Sequence, residues 1–477
     1  MPDLDAPAAT AKLSLWDAVS LIVGIVVGSS IYRAPPLIFS NSPSPATGLL
    51  LWLLGGVLSF IGALIYAELA TTYPRSGGEY NYLSRAYGPW LGFLFAWSQL
   101  AIIQTASIGA LAYVFADYAI GLWKLPADFA PLLAGSAVIT LTLLNLIGLR
   151  AGAWLQNVLT VLKLAGLSAI VVAGIGYGTA DPWTAPAATA GPGWTLALIL
   201  ILYAYGGWSD AGFVAAEVRD VSRNIPRALL GGLGLIVVIY LLVNFAYLRA
   251  LGGAGLAQSD RPAAETLTLV LGPRGGETMS LLVMASALGG VNGLIFSVSR
   301  VHASLGQDYR LFAWLGGFSH QESPVASLLA QAAVTVGMVI TVGTPTGQAL
   351  LNQAVVRCGL PEIGWSDFGG GFETLVAGSA PAFWLFFVLN AIGFLILRVT
   401  DSERPRPFRV PWSPVTPLIF AAVCGWMLYA SAVYAFGLLP VMSVPLLAGI
   451  PAYLLCRCFQ PQAGAPAESP SPTSPQG

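Results

Sequence analysis

Charge is what this 477-residue sequence has least of: only 9% of its residues are Asp, Glu, Lys or Arg. A soluble domain carries roughly 25%. So few charges cannot clothe a water-facing surface, and the 56% hydrophobic content must meet something other than water. The net charge of −1 leaves no basic excess for binding nucleic acid. There are two histidines and four cysteines, Cys358, Cys424, Cys456 and Cys458, and none stands at metal-ligand spacing. No metal or other cofactor is expected. The opening residues are rich in Ala, Pro and Asp and lack a basic n-region, so no cleaved leader is expected. With a mean hydropathy of +0.74, the chain reads as an all-α integral membrane protein.

Apolar runs of about 20 residues are long enough to cross a bilayer. They fall at 15–39, 48–72, 88–122, 129–147, 151–177, 194–217, 228–250, 277–304, 324–343, 372–397, 412–436 and 439–456, which predicts twelve spans. Residues 1–14 and 460–477 are expected to be disordered cytoplasmic ends. With the N-terminus inside, 14 of the 21 Lys and Arg residues fall on the cytoplasmic side, 6 outside, and Lys163 within a span. That bias follows the positive-inside rule and puts both termini in the cytoplasm of a plasma-membrane protein.

The first span contains Gly24-Ile25-Val26-Val27-Gly28-Ser29-Ser30-Ile31-Tyr32, followed by Pro35 and Pro36. Gly28 costs roughly 1 kcal/mol in a helix relative to Ala, and the two serines offer the backbone other hydrogen bonds. Two readings stand: a helix that opens at residues 28–30, or a small-residue face packed on a neighbour. The sixth span repeats the feature in Tyr203-Ala204-Tyr205-Gly206-Gly207-Trp208-Ser209-Asp210. Interruptions five spans apart favour the opened helix. They predict inverted repeats, 15–177 and 194–397, with discontinuous helices 1 and 6 and two extra helices over 412–456.

These residues resemble a known family. The stretch from Gly24 to Tyr32 resembles the first-helix signature of the amino acid–polyamine–organocation (APC) superfamily. Pro74 and Ser76-Gly77-Gly78, with Tyr80, Tyr82-Leu83 and Ala86-Tyr87-Gly88, resemble its second loop. Tyr203 to Trp208, Glu217, Arg223-Asn224-Ile225-Pro226-Arg227-Ala228, Asn292-Gly293, Ser299-Arg300 and Arg404 to Pro411 fit in order, closest to the L-type amino acid transporter branch in its prokaryotic form. The sequence departs from the family at Ser30, where Gly is usual. It also departs after Arg300, and in the long outer loop over 343–371. The stretch Trp123 to Asp128 lacks the cysteine that ties animal members to a partner chain, so no disulfide-linked partner is expected.

The resemblance implies a sodium-independent secondary transporter of amino acids, working by exchange or by proton-coupled symport. Amides at Gly28, Ser29 and Ser30 would hold a substrate carboxylate. Carbonyls at Ile25, Tyr203, Ala204 and Gly206 would hold its ammonium. Tyr203 would gate the site, Ser209 would line the pocket, and Tyr240 would neighbour it. The family pattern does not supply Asp210; a carboxylate in a span needs a partner or water, and contact with a cationic substrate or a proton is one use of it.

Lys163 lies twelve residues into the fifth span, about 18 Å along the helix axis. In proton-coupled and exchanging relatives a lysine here takes the place of sodium, and the resemblance implies that the Lys163 amine braces the Gly24–Gly28 carbonyls and serves coupling, with the coupling proton as a candidate cargo. Glu68 and Glu217 end spans near Arg75, Arg219 and Arg223, where ion pairs at an inner gate are expected. Two other readings stand beside transport, a non-transporting sensor on the same fold and a carrier of polyamines or other organic amines. A membrane enzyme would need convergent acid, base or metal residues, which the sequence does not bring together.

Overall fold

A computed structural model describes residues 13–28, 30–75, 77–184, 194–259, 261–320, 322–368 and 370–459. The tail from 460 and most of the N-terminal segment lie outside them, as does Ser29. Among the described residues the secondary structure is helical, apart from one parallel bridge between Leu13 and Val218. Leu13 and Ser14, which the sequence places in a disordered end, are built into the fold. Leu13 N–H donates to the Glu217 carbonyl at 2.8 Å, and Arg219 N–H donates back to Leu13 at 3.0 Å.

The first span is not one helix. α1 (Leu15–Val26) opens on a capping box, in which Asp17 N–H donates to Ser14 Oγ and Ser14 N–H donates to Asp17 Oδ2. It ends at Val27, and α2 (Ser30–Ser40) begins after a break. α3 (Pro45–Thr72) is continuous and opens on a Ser44 cap with Pro45 in its first turn. It shows how this chain meets lipid. Leu50, Leu53, Leu54 and Val57, at i, i+3, i+4 and i+7, are 42–63% exposed, while Trp52, Ser59 and Tyr66 on the other side are buried. An apolar stripe facing outward suits hydrocarbon, not water.

α4 (Glu79–Tyr87) is a short buried helix. α5 (Pro89–Ser98) continues through a π-helical turn, Gln99–Ile103, into α6 (Gln104–Trp123). Then come α7 (Ala130–Leu146) and α8 (Leu149–Tyr177). The sixth span is broken like the first. α9 (Trp194–Ala204) stops at a glycine turn and continues as a 3-10 segment, Trp208–Glu217. The expected second half-helix is present but is wound as the tighter 3-10 form, which the local sequence does not signal.

α10 (Val221–Gln258), α11 (Pro262–Leu271), α12 (Gly275–Asp308) and α13 (Val325–Gly343) follow. The outer loop over 343–371 carries α14 (Pro345–Arg357) and a 3-10 turn, Trp365–Phe368. It buries Val355, Ile363 and Phe368 against Ala377, Ala435 and Leu438. The chain closes with α15 (Gly371–Thr400), α16 (Val415–Tyr434), α17 (Leu439–Leu447) and α18 (Gly449–Phe459).

Among the described residues ten helical stretches are long and apolar enough to cross a membrane. The first and sixth predicted spans are not among the ten, because each is split into pieces of 10–12 residues. Both lie inside the molecule. α1 packs on α8, α10 and α12, and α2 packs on α9 and α10. Association in lipid depends on close approach rather than on the hydrophobic effect. Two glycines permit it here. A Cβ on Gly24 would stand 1.7 Å from Gln156 Nε2 of α8. Gly207, with φ +100°, would set a Cβ 2.6 Å from Ile25 Cγ2, so the two breaks touch.

Gly207→Ala combines a left-handed backbone with that clash. It should cost about 1–3 kcal/mol and lower the thermal unfolding midpoint of the detergent-purified protein by several degrees. An unchanged midpoint would mean that the breaks do not press on each other.

Candidate substrate site between two helix breaks

An opened helix inside a membrane exposes carbonyls that lipid cannot satisfy. Here side chains from three other helices take them. α8 carries Gln156, Thr160 and Lys163 at i, i+4 and i+7, which places all three on one face. That face lies against α1. Thr160 Oγ1 donates to the Ser20 carbonyl at 2.9 Å, and Lys163 Nζ donates to the Gly24 carbonyl at 2.6 Å. Lys163 is 1% exposed. From α10, the Tyr240 hydroxyl reaches the Val26 carbonyl at 3.0 Å and the Ala204 carbonyl at 3.3 Å, so one phenol spans both breaks. From α12, Ser286 Oγ donates to Val27 at 3.1 Å.

A polar chain fixes these helices. Asn145 Nδ2 donates to Asn292 Oδ1 at 2.8 Å, and Asn292 Nδ2 donates to Gln156 Oε1 at 2.9 Å. Asn292 belongs to the Asn-Gly pair seen in the sequence; its role as a link between α7, α8 and α12 was not.

Between the breaks lies a cavity of about 130 Å³. Ile25, Gly28 and Ser30 of the first break line it, as do Tyr203, Gly206 and Asp210 of the second. Tyr203 is 40% exposed, the open aromatic of this wall. Not every predicted site residue takes part in the lining. Ala204 is buried behind the wall with its carbonyl on Tyr240, and Ser209 is buried and off the wall. Ser29 is outside the described residues. The Gly28 N–H, expected free for a carboxylate, donates to the Val26 carbonyl at 2.7 Å, because the chain makes a tight turn there.

The sequence reading missed Gln104, Ser107, Phe383 and Trp384, all on the wall. Gln104 follows the π-helical turn, which rotates α6 relative to a regular helix; such turns recur at functional sites. Gln104 Nε2 donates to Asp210 Oδ1 at 3.0 Å.

Ion pairs join the helix ends on the side that the sequence places in the cytoplasm, with partners other than those expected. Glu217 pairs with Arg300 at 3.1 Å, not with Arg219 or Arg223. Arg75 pairs with Asp308 at 2.7 Å, and the Tyr80 hydroxyl donates to the same carboxylate. Glu68 takes Arg398 at 2.6 Å, Arg406 at 3.2 Å and the Val410 N–H at 2.6 Å. Tyr73, in the same layer, donates to Asp401, and burial pushes its hydroxyl up to about 12. The expected partners are near in sequence, but helix ends meet residues brought in from other spans.

A family model described as amino acid permease matches residues 13–446. The chain is 28% identical over 458 residues to the human (Homo sapiens) b(0,+)-type amino acid transporter 1, covering 94% of this chain and 85% of that protein. It is 27% identical over 416 residues to the serine/threonine exchanger SteT of Bacillus subtilis, covering 86% of this chain and 89% of that one. It is 27% identical over 458 residues to the cystine/glutamate transporter of Pongo abelii, covering 93% and 85%.

Tyr240→Phe would remove the one hydroxyl proton that the Val26 and Ala204 carbonyls share, at about 1–2 kcal/mol. The expected result is a lower unfolding midpoint and faster hydrogen exchange at both breaks. Faster exchange at only one break would show that the phenol does not hold the two together.

Proposed function

The chain belongs to the amino acid permease family, and from that premise we propose that it carries small or medium neutral amino acids across the plasma membrane by alternating access to the cavity between the breaks. The observation that carries this reading is the opposition of the two breaks across one cavity. A zwitterion needs donors and acceptors close together. A broken helix pair supplies both from the backbone, with the N-terminal end of a half-helix favouring the carboxylate. Among the described residues the wall carries one carboxylate, Asp210, and no lysine or arginine. An acidic side chain would find no countercharge there.

The ten long helices and the two broken spans together support twelve spans, with the first five and the second five as inverted repeats. Both termini then lie in the cytoplasm. The cytoplasmic ion pairs and the exposed Tyr203 suit a state closed to the inside. Opening inward requires Arg300 to leave Glu217 and Arg75 to leave Asp308.

Lys163 brings its own ammonium to the Gly24 carbonyl, at the place where a sodium ion would otherwise neutralise the opened backbone. Transport is therefore sodium-independent. Exchange of one amino acid for another is the first expectation, because one relative, aligned over 86% of this chain, is named a serine/threonine exchanger. No disulfide-linked partner is invoked.

Uptake of labelled neutral amino acids into proteoliposomes tests the reading. Replacing sodium with choline should leave uptake unchanged, and a strict sodium requirement would overturn the role given to Lys163. Lys163→Met should lower uptake by at least tenfold while the protein still elutes as a folded species. Uptake near that of the wild type would remove the lysine from the cycle.

A further inference from the structure

Beneath the cavity stands a pair of carboxyl groups that the transport reading does not use. Asp210 is 2% exposed and reaches the cavity wall. Glu79, at the start of α4, is 3% exposed, and the chain before it lies against the chain after Asp210: a Cβ on Gly78 would stand 2.8 Å from the Gly212 carbonyl carbon, and Gly77 N–H donates to the Phe213 carbonyl at 3.0 Å. The groups around the pair come from every side. Gln104 of α6 donates to Asp210 at 3.0 Å, while the Tyr66 hydroxyl of α3 and, at 3.3 Å, Asn390 of α15 donate to Glu79. The Cys424 thiol of α16 lies near Tyr66. All of these partners are neutral. The cation nearest in sequence, Arg75, is held by Asp308.

One more group points to a ligand. Tyr82 is 2% exposed, and its hydroxyl finds no hydrogen-bond partner among the described residues. That hydroxyl lies 3.7 Å from the Cβ position of Gly212, two residues past Asp210, and the ring stands edge-on to Tyr66 at 6.5 Å. Beside the segment that follows Asp210 is a buried donor with no acceptor among the described residues.

We propose that Asp210 and Glu79 form a proton-binding site on the floor of the cavity, separate from Lys163. Two carboxylates out of water and without a countercharge cannot both stay ionised. One proton, taken from water in the cavity, bonds to a carboxylate oxygen and is given back to water when the site empties. Tyr82 donates to the carboxylate once that proton leaves. Burial pushes the Glu79 carboxyl up to about 7. A raised carboxyl holds its proton below that pH and loses it above, so the site exchanges across neutrality. Asp210 gives access from the cavity. Glu79 adjoins Tyr80, whose hydroxyl donates to the Asp308 of the cytoplasmic ion pair, so the site's charge is set one residue from the inner closure.

The proposal rests on the transport reading only for the direction from which the proton arrives. Infrared difference spectroscopy of the full chain in lipid nanodiscs, titrated without substrate, reads the site directly. A carbonyl-stretch band of a protonated carboxyl should be present at acidic pH and vanish as pH rises through about 7. Glu79→Gln should remove it, Asp210→Asn should move its midpoint downward because a like charge is lost, and Lys163→Met should keep it. Tyr82→Phe, which spares the packing, should move the midpoint upward, because the ionised form loses a donor. No titrating carboxyl band in the wild-type protein overturns the proposal. So does a band unchanged by substitution at both acids, or, should those variants not fold, by Tyr82→Phe. If the band behaves as expected but no amino acid is transported, the reading of the cavity fails and the proton site stands.

Discussion

The fold depends on satisfying backbone polar groups where a helix is opened inside a membrane. In lipid each unpaired group costs several kcal/mol. A break therefore survives only where other helices bring donors to it. α8 brings Lys163, α10 brings Tyr240, and α12 brings Ser286. Each of these is held in turn by close helix packing. The rest of the architecture surrounds the breaks with donors and leaves one polar cavity between them. On the proposed reading, a site made this way recognises the constant part of an amino acid, while the side chains on the wall choose among substrates.

The two ends of that cavity are built differently. At the end that the sequence places toward the cytoplasm, charged residues from separate helices are joined in pairs, and Leu13 is stitched to the exit of the sixth span. Toward the outside, the wall ends in Tyr203 and in α15, over which the outer loop folds α14. Ion pairs can part and re-form at modest cost when water reaches both partners. A packed aromatic wall rearranges by side-chain rotation. That asymmetry suits a cycle in which the inner end opens by separating charges and the outer end closes around a bound molecule.

Much of this was legible in the sequence, for physical reasons. Length and hydrophobicity mark spans because a bilayer has fixed thickness, and the observed helices follow the predicted runs closely. Gly28 and the Gly206-Gly207 pair mark the breaks because such residues gain nothing inside a lipid-facing helix. Lys163 was conspicuous because an ammonium so deep must have a partner, and the partner is the carbonyl of Gly24. The rest was hidden where local sequence carries no signal. The π-helical turn at Gln99–Ile103 consists of ordinary helix formers, so nothing announced that Gln104 would face Asp210. The ion pairs join residues as far apart as Glu68 and Arg398, 330 positions along the chain, and proximity in sequence pointed elsewhere. Tyr82 and Glu79 looked like parts of a loop motif until the fold buried them.

The central claim is that both breaks together hold the substrate. Hydrogen exchange of the chain in nanodiscs, with and without the amino acid that uptake identifies, tests it most directly. Amides over residues 26–31 and 203–208 should slow together, over the same range of substrate concentration. Protection of only one break, or protection at helices away from the cavity while both breaks exchange as before, would contradict the account.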